Sequence, residues 1–318
     1  MKTPLSYAGS GQPVSTDTPI DNPLLHARSV SRALNIVGDR SSLLLVYWVF
    51  LGVYRFTDLL NRTGLSRSLI SNRLKRLEEQ GVLERRVSGG QGSEYHLTGM
   101  GKDLYNVALA IIRWDKQWHY TPGCVTHHLV HTGCGKEFMP LAQCRSCDNG
   151  FDARDCQWQY GPGEPDAELA TSTQSRRSRI APSALGTEHP IMDRSLEILG
   201  DRWTALTIAA AFYRVRTFNG FQQALGIATN ILSDRLSRLT ALGIFTRGSQ
   251  ARGDYRLSEE GLSLFPVIVA LMQWGDRWLS NDSGPSLVLV HRQCHSVLEP
   301  LMVCDQCGQA LAFGDFHL

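Results

Sequence analysis

A chain of 318 residues has room for about two ordinary domains, and an apolar content of 42% can supply two cores. Eight cysteines are too few for a disulfide-built fold at this length, and a net charge of +2 excludes a uniformly polybasic surface. The opening residues lack a signal-peptide pattern and the most apolar run, Leu43 to Val53, is too short to span a bilayer, so the expected location is cytoplasmic.

Residues 1–25 read as a flexible N-terminal segment, followed by a first domain over 26–120. Its spacing predicts a helix over about 31–37 that turns at Gly38, a mostly buried helix over 41–51 and a short one over 56–62. "TGLSRSLISNRLKRLEEQG" follows: a glycine-containing turn, Ser66 as N-cap, a helix to Gln80, and Gly81 as its stop. "VLERRV" and "SEYHLT" are strands around the glycine-rich tip "SGGQG". After Gly101 comes a long apolar helix bearing Leu104, Val107, Ala108, Ile111, Ile112 and Trp114. Three helices, a two-stranded wing and a closing helix make a winged helix–turn–helix.

The same order returns. "IVGDRSSLLLV" at 36–46 is answered by "ILGDRWTALTI" at 198–208. Phe56, Gly64, Arg73, Leu74, Leu77 and Gly81 recur as Phe218, Gly226, Arg235, Leu236, Leu239 and Gly243. After a loop two residues shorter, Trp114 and Trp118 recur as Trp274 and Trp278, and Cys134, Cys144 and Cys147 as Cys294, Cys304 and Cys307. One register held over a whole domain signals duplication. The expected fold is therefore mainly α with small β-hairpins: two winged helix–turn–helix domains, each followed by a small zinc-ribbon-like Cys/His extension. The boundaries are 26–120 and 121–157 for copy one, a Gly/Pro/Ser-rich linker over 158–187, and 188–280 and 281–318 for copy two. "RRSR" at 176–179 reads as a solvated charge cluster, with phosphate contact as the alternative.

Charge is unequal between the copies. Residues 30–102 hold 11 Lys and Arg against six acidic side chains, whereas 190–261 hold nine against seven. Copy one is the better surface for a polyanion. On its turn helix Ile70, Leu74 and Leu77 share one face, while Ser68, Asn72, Lys75 and Arg76 point broadly away, flanked by Arg67 and Arg73. Such a face can enter a major groove, where Arg, Asn and Ser meet base edges, or hold phosphates, which sets position without reading sequence. Copy two presents Asn230, Asp234, Ser237 and Arg238, with Thr229 and Arg235 on the flanks. Asp234 can accept a hydrogen bond from cytosine or orient an arginine but would be repelled by the DNA backbone, so this copy is expected to bind more weakly or to a different half-site. Arg85 and Arg86 in one wing, and Arg247 and Arg252 in the other, are candidate phosphate contacts; exposed hairpins also carry charge for solubility alone.

The closing helices "YNVALAIIRWDKQW" and "FPVIVALMQWGDRW" are more apolar than a single domain needs, which points to pairing of the two domains within the chain. Each closing only its own domain, or pairing between separate chains as a homodimer, are the alternatives. The cysteines form the patterns His131-x2-Cys134-x9-Cys144-x2-Cys147 and His291-x2-Cys294-x9-Cys304-x2-Cys307. One imidazole and three thiolates per copy is the donor set of a closed structural zinc site, with one ion expected in each extension; reduced or redox-active thiols are the alternative. Cys124 and Cys156 have no counterpart and are given no metal role, and His127, His128 and His295 read as surface histidines. No HExxH helix, deaminase signature, nucleophile–base pair or dinucleotide fingerprint is present, so an enzyme, including a zinc metalloenzyme, is the weakest class.

"SVSRALNIVGDRSSLLLV", "RFTDLLNRTGLSRSLISNRLKRLEEQGVLERR" and "YHLT", with their copies from Ile191 to Leu257, resemble the HxlR-type bacterial transcriptional regulators in tandem. The resemblance covers about two-thirds of the chain. It implies a regulator of transcription that binds double-stranded operator DNA, a repressor by analogy, built as a dimer through its first and last helices. Carried across by motif, the groove positions are Ser66, Arg67, Ser68, Asn72 and Arg73, then Thr229, Asn230, Asp234 and Arg235. Many relatives carry a cysteine just before the first helix, which in some senses oxidants or electrophiles; Arg28 and His189 stand there, so a redox response would have to come from the distal cysteines. A protein-interaction scaffold that kept the fold but lost groove reading is the competing class. A small-molecule effector could bind between the domains, but no residue identifies it.

Overall fold

The computed structural model describes residues 29–88, 92–120, 128–163, 193–248, 254–280 and 284–317. Arg28, Cys124, His127, the 176–179 cluster, His189 and Arg252 lie outside them. Copy one opens with α1 (Ser29–Val37) and α2 (Arg40–Phe50). Asp39 caps α2 by accepting from the Ser42 amide at 3.1 Å, which satisfies one of the donors left free at a helix start. α3 (Phe56–Thr63) stops at Gly64, whose φ of +62° lies in the left-handed region. α4 (Arg67–Glu79) then starts at Ser66, whose hydroxyl accepts from the Leu69 amide. Ile70, Leu74 and Leu77 are fully buried, and each contributes roughly 1.5–3 kcal/mol by leaving water.

The wing pairs β1 (Leu83–Ser88) with β2 (Gly92–Leu97), antiparallel, and a one-turn α5 (Gly99–Lys102) leads to α6 (Tyr105–Trp118). The first extension supplies β3 (Val130–His131), β4 (Pro140–Cys144) and β5 (Cys156–Tyr160). Copy two repeats the order as α7 (Asp193–Leu199), α8 (Arg202–Phe212), α9 (Phe218–Leu225), α10 (Thr229–Ala241), the wing β6 (Phe245–Arg247) and β7 (Tyr255–Leu257), α11 (Glu259–Leu262) and α12 (Phe265–Leu279). The second extension adds β8 (Leu287–His291), β9 (Pro300–Cys304) and β10 (Phe316–His317). The one-turn α5 and α11 were not expected. β5 also runs on past residue 157, where the linker was expected to begin. Its pairing with β8 buries Trp158, whose indole N–H donates to the Phe212 carbonyl at 3.2 Å. No helix among the described residues is long and apolar enough to cross a membrane.

Among the described residues, each strand of the extensions pairs with a strand of the other copy. β4 runs antiparallel to β9 with Ala142 opposite Met302, β5 lies beside β8, and β3 beside β10. The register is nearly two-fold symmetric: Pro140 faces Cys304 and Cys144 faces Pro300. The helices follow the same relation. α1 packs on α12, and α12 on α6. The Trp114 indole donates to the Glu260 carbonyl at 3.0 Å, and Trp274, its counterpart, donates to Met100 at 2.9 Å. Gly275 permits a close approach of α12 to α1: a Cβ there would stand 2.3 Å from the Ser29 carbonyl oxygen.

Candidate nucleic-acid interface and metal centres

With Ile70, Leu74 and Leu77 anchored, the opposite side of α4 is left to solvent. Arg67, Ser68, Ser71, Asn72 and Lys75 are exposed, and so is the cap Ser66. Ser68, Ser71, Asn72 and Lys75 follow the i, i+3, i+4, i+7 spacing of one helical face. Ser71 belongs to this row although it was not among the expected groove residues; the same spacing would have identified it. The Arg67 guanidinium lies 5.4 Å from the centre of the Phe56 ring, and Lys75 pairs loosely with Glu79 at 3.7 Å.

Two expected groove residues are turned elsewhere. The Arg73 guanidinium lies 3.2 Å from the Asp39 carboxylate, the same group that caps α2. Arg76 reaches back to donate to the Asn35 carbonyl at the end of α1. Both sit at the edge of the buried stripe, where a long side chain finds a stronger partner in the protein than in water.

α10 repeats this logic with different charges. Thr229, Asn230, Ser233, Asp234, Ser237 and Arg238 are exposed. Arg235 holds Asp201, the cap of α8, through Nε at 2.8 Å and Nη2 at 3.0 Å, and also pairs with Asp234. The Arg235 guanidinium holds the Asp201 carboxyl below the usual carboxylate range against the opposing cost of burial. Arg238 donates to Glu197 at 3.1 Å, a carboxylate standing where copy one has Asn35. At the positions of Arg67 and Lys75 copy two has Thr229 and Ser237, so its exposed face lacks the two outward cations of α4.

In the wings Arg85 donates to Ser93 at 2.8 Å, Arg86 pairs with Glu84, and Arg247 lies over the Tyr255 ring at 5.7 Å; all three arginines are exposed. Val87, 80% exposed near the tip, is an apolar wing residue that charge-based reading passed over.

The HxlR-like helix-turn-helix family model matches residues 36–122 and again 198–283, more than half of the chain. The chain belongs to this family. The two matched regions are those of the internal repeat. The HTH-type transcriptional regulator MT3179 of Mycobacterium tuberculosis is 42% identical over 122 residues, spanning 37% of this chain and 77% of that protein. The regulator YvaP of Bacillus subtilis is 26% identical over 95 residues, 28% of this chain and 88% of its own length. Among solved structures, PA1374 of Pseudomonas aeruginosa, a candidate transcription factor, is 27% identical over 39% of this chain and 88% of its own, with a TM-score of 0.30. HxlR-type proteins are transcriptional regulators, not enzymes.

This HxlR-type chain has a second cluster of chemistry in its extensions. All eight expected metal ligands come together, but not as grouped in the sequence. His131 and Cys134 meet Cys304 and Cys307, while Cys144 and Cys147 meet His291 and Cys294, each set within 4.8 Å. The expectation of one complete ligand set per copy is therefore corrected. β4 separates the two halves of copy one's set, and its pairing with β9 brings the other copy's half alongside each end. The Sγ atoms of Cys134 and Cys304 lie 3.9 Å apart, as do those of Cys144 and Cys294; His131 Nδ1 is 3.4 Å from Cys307 Sγ and His291 Nδ1 is 3.3 Å from Cys147 Sγ. Tetrahedral zinc with bonds of about 2.3 Å to sulfur needs sulfurs roughly 3.8 Å apart, so the donor sets fit such an ion. Hydrogen bonding from the backbone beside Lys136 draws the Cys134 thiol down to about 7, and the backbone at Ser296 draws Cys294 to about 6, whereas burial pushes the Cys144 and Cys304 thiols up. Thiolate is the ligating form. Cys156 is in neither cluster, and burial pushes its thiol up to about 12. His128 is bonded at the surface to Glu137, and His295 stands outside both sets.

An apolar cleft, open in part to solvent, lies between α2 and α6 of copy one, Leu196 and Leu199 of α7, and Phe316. The Tyr105 hydroxyl on its wall is buried without a hydrogen-bond partner.

Proposed function

We propose that this chain is a sequence-specific, double-stranded DNA-binding repressor that presents two recognition helices, α4 and α10, from one polypeptide. The supporting observation is the exposed row Arg67, Ser68, Ser71, Asn72 and Lys75 on a helix whose other face is locked in the core. Asn72 is the base-reading candidate, pairing with adenine; Arg67 and Lys75 hold phosphate, with Arg85 and Arg86 of the wing and the Ser66 turn set against the backbone. Arg73 and Arg76 serve by fixing the helix rather than by touching DNA. In copy two Thr229, Asn230 and Ser237 face the duplex, Arg238 and Arg247 supply phosphate contacts, and Asp234 weakens the approach. Arg252 is a further wing candidate.

The two copies act as the equivalent of a dimer inside one chain, with α1, α6, α7 and α12 as the pairing surface, and zinc is the structural cofactor of the Cys/His clusters. The cavity beside Tyr105 is the place for a small-molecule effector. Anisotropy titration of the full chain onto operator duplex and scrambled duplex at physiological salt tests the reading. A specific regulator keeps a clear preference for operator. Equal affinities would favour an interaction scaffold on the same fold, the reading that Asp234 and the Arg238–Glu197 pair support for copy two.

A further inference from the structure

We infer that the two Cys/His clusters are interleaved zinc sites, each taking two ligands from copy one and two from copy two, so that each ion fastens the copies together. The inference deepens the zinc part of the proposed function and is independent of DNA binding.

The geometry excludes the grouping that spacing suggests. Cys134 precedes β4 and Cys144 ends it. The ligating atoms that lie within 4.8 Å of one another are His131, Cys134, Cys304 and Cys307 in one set and Cys144, Cys147, His291 and Cys294 in the other, so Cys134 and Cys144 belong to different sets. The antiparallel register decides which residues replace them. Pro140 at the start of β4 lies opposite Cys304, so Cys304 and Cys307 arrive beside His131 and Cys134; Cys144 lies opposite Pro300, so Cys144 and Cys147 arrive beside Cys294 and His291. The outer strands repeat the exchange, with β3 held by β10 and β5 by β8.

Each set offers the donors of a closed structural site. Four protein donors would satisfy a tetrahedral ion without a water ligand, and His131 and His291 are buried. The role that follows is structural. Three thiolates and one neutral imidazole would hold Zn2+, the cysteines giving up to solvent whatever protons they still carry, at most three per ion, with no change of oxidation state. Each ion then closes a loop of well over a hundred residues, since Cys134 and Cys304 are 170 positions apart. Metal loading thereby holds the two halves in one relative placement.

Metal counting on the full chain, without DNA, tests the inference. The wild-type chain loaded with zinc sulfate and passed over a chelating resin is expected to retain two zinc ions. C134S/C304S, both in one interleaved cluster, is expected to retain one. C134S/C144S, one in each cluster, is expected to weaken both and retain none against the same resin. The reverse pattern, one ion kept by C134S/C144S and none by C134S/C304S, would restore the within-copy grouping and overturn the inference, as would a wild-type chain that retains no zinc. Wild-type protein loaded with 113Cd gives the same answer should a variant fail to fold. Each cadmium resonance should correlate with cysteine β-protons of both copies, and correlation within one copy would contradict the assignment. Failure of these tests leaves the groove-reading face of α4 untouched, because none of its residues is altered.

Discussion

Arg73 and Asp39 form an ion pair, Nε to Oδ1 at 3.2 Å, that ties the turn helix to the N-terminus of α2. Arg235 and Asp201 repeat it in copy two at 2.8 Å. The carboxylate is also the cap of the second helix, so one aspartate orients two elements. Arg73→Ala is expected to cost stability of about 2 kcal/mol, since it leaves a largely buried carboxylate without its charged partner. Asn72→Ala, on the exposed face, is expected to leave the melting temperature unchanged and to lose about 1–3 kcal/mol of discrimination at one base pair. Urea unfolding alongside operator titration checks both; a stable R73A chain with lost DNA affinity would return Arg73 to the groove.

Copy two differs most at Asp234, which stands where copy one has Asn72. Asp234→Asn removes a negative charge from the face offered to the backbone and is expected to tighten binding, most at low salt, where screening is weakest. Arg67→Ala is expected to shift the opposite way and lower the salt slope by about one contact. Affinities measured across a salt series decide the matter; indifference to both changes would argue that neither helix faces phosphate.

The contact between α1 and α12 depends on Gly275. A Cβ there meets the Ser29 carbonyl at 2.3 Å, backbone that cannot move aside as a side chain would. Gly275→Ala is expected to destabilise by about 1–3 kcal/mol, the usual range for overpacking. Calorimetry provides the check, and an unchanged Tm would mean that the helices do not meet this closely.

Burial beside α1 pushes the Asp276 carboxyl up to about 7, against the favourable pull of the Ser29 hydroxyl and Arg32. Between roughly pH 4 and 7 the folded chain thus keeps a proton that the unfolded chain has lost, so this group's contribution to stability falls as pH rises through that window and is level above it. Asp276→Asn should abolish that fall. Unfolding free energies at pH 5 and 7.5 test it by difference, and parallel pH profiles for the two chains would contradict the assignment.

Much of this was readable in the chain. Period and caps locate the helices to within a residue or two, because Ser66 and Gly64 have local jobs that local sequence reveals. The two-copy register is equally legible. The fate of Arg73 and Arg76 is not: a helical wheel gives direction, but a long side chain at the stripe's edge goes to its best partner, and Asp39 and the Asn35 carbonyl are tertiary neighbours. The metal ligands show the deeper limit. Duplication makes His131-x2-Cys134 equally compatible with Cys144-x2-Cys147 or Cys304-x2-Cys307, and only the pairing of β4 with β9 separates the two.

The central claim is that one chain does the work of a dimer. Native mass spectrometry of the chain on its operator, combined with a DNase footprint, measures this directly. The expected result is one chain per duplex, protecting two half-sites about 34–36 Å apart along the helix. Two chains per operator, or protection of a single half-site, would contradict it.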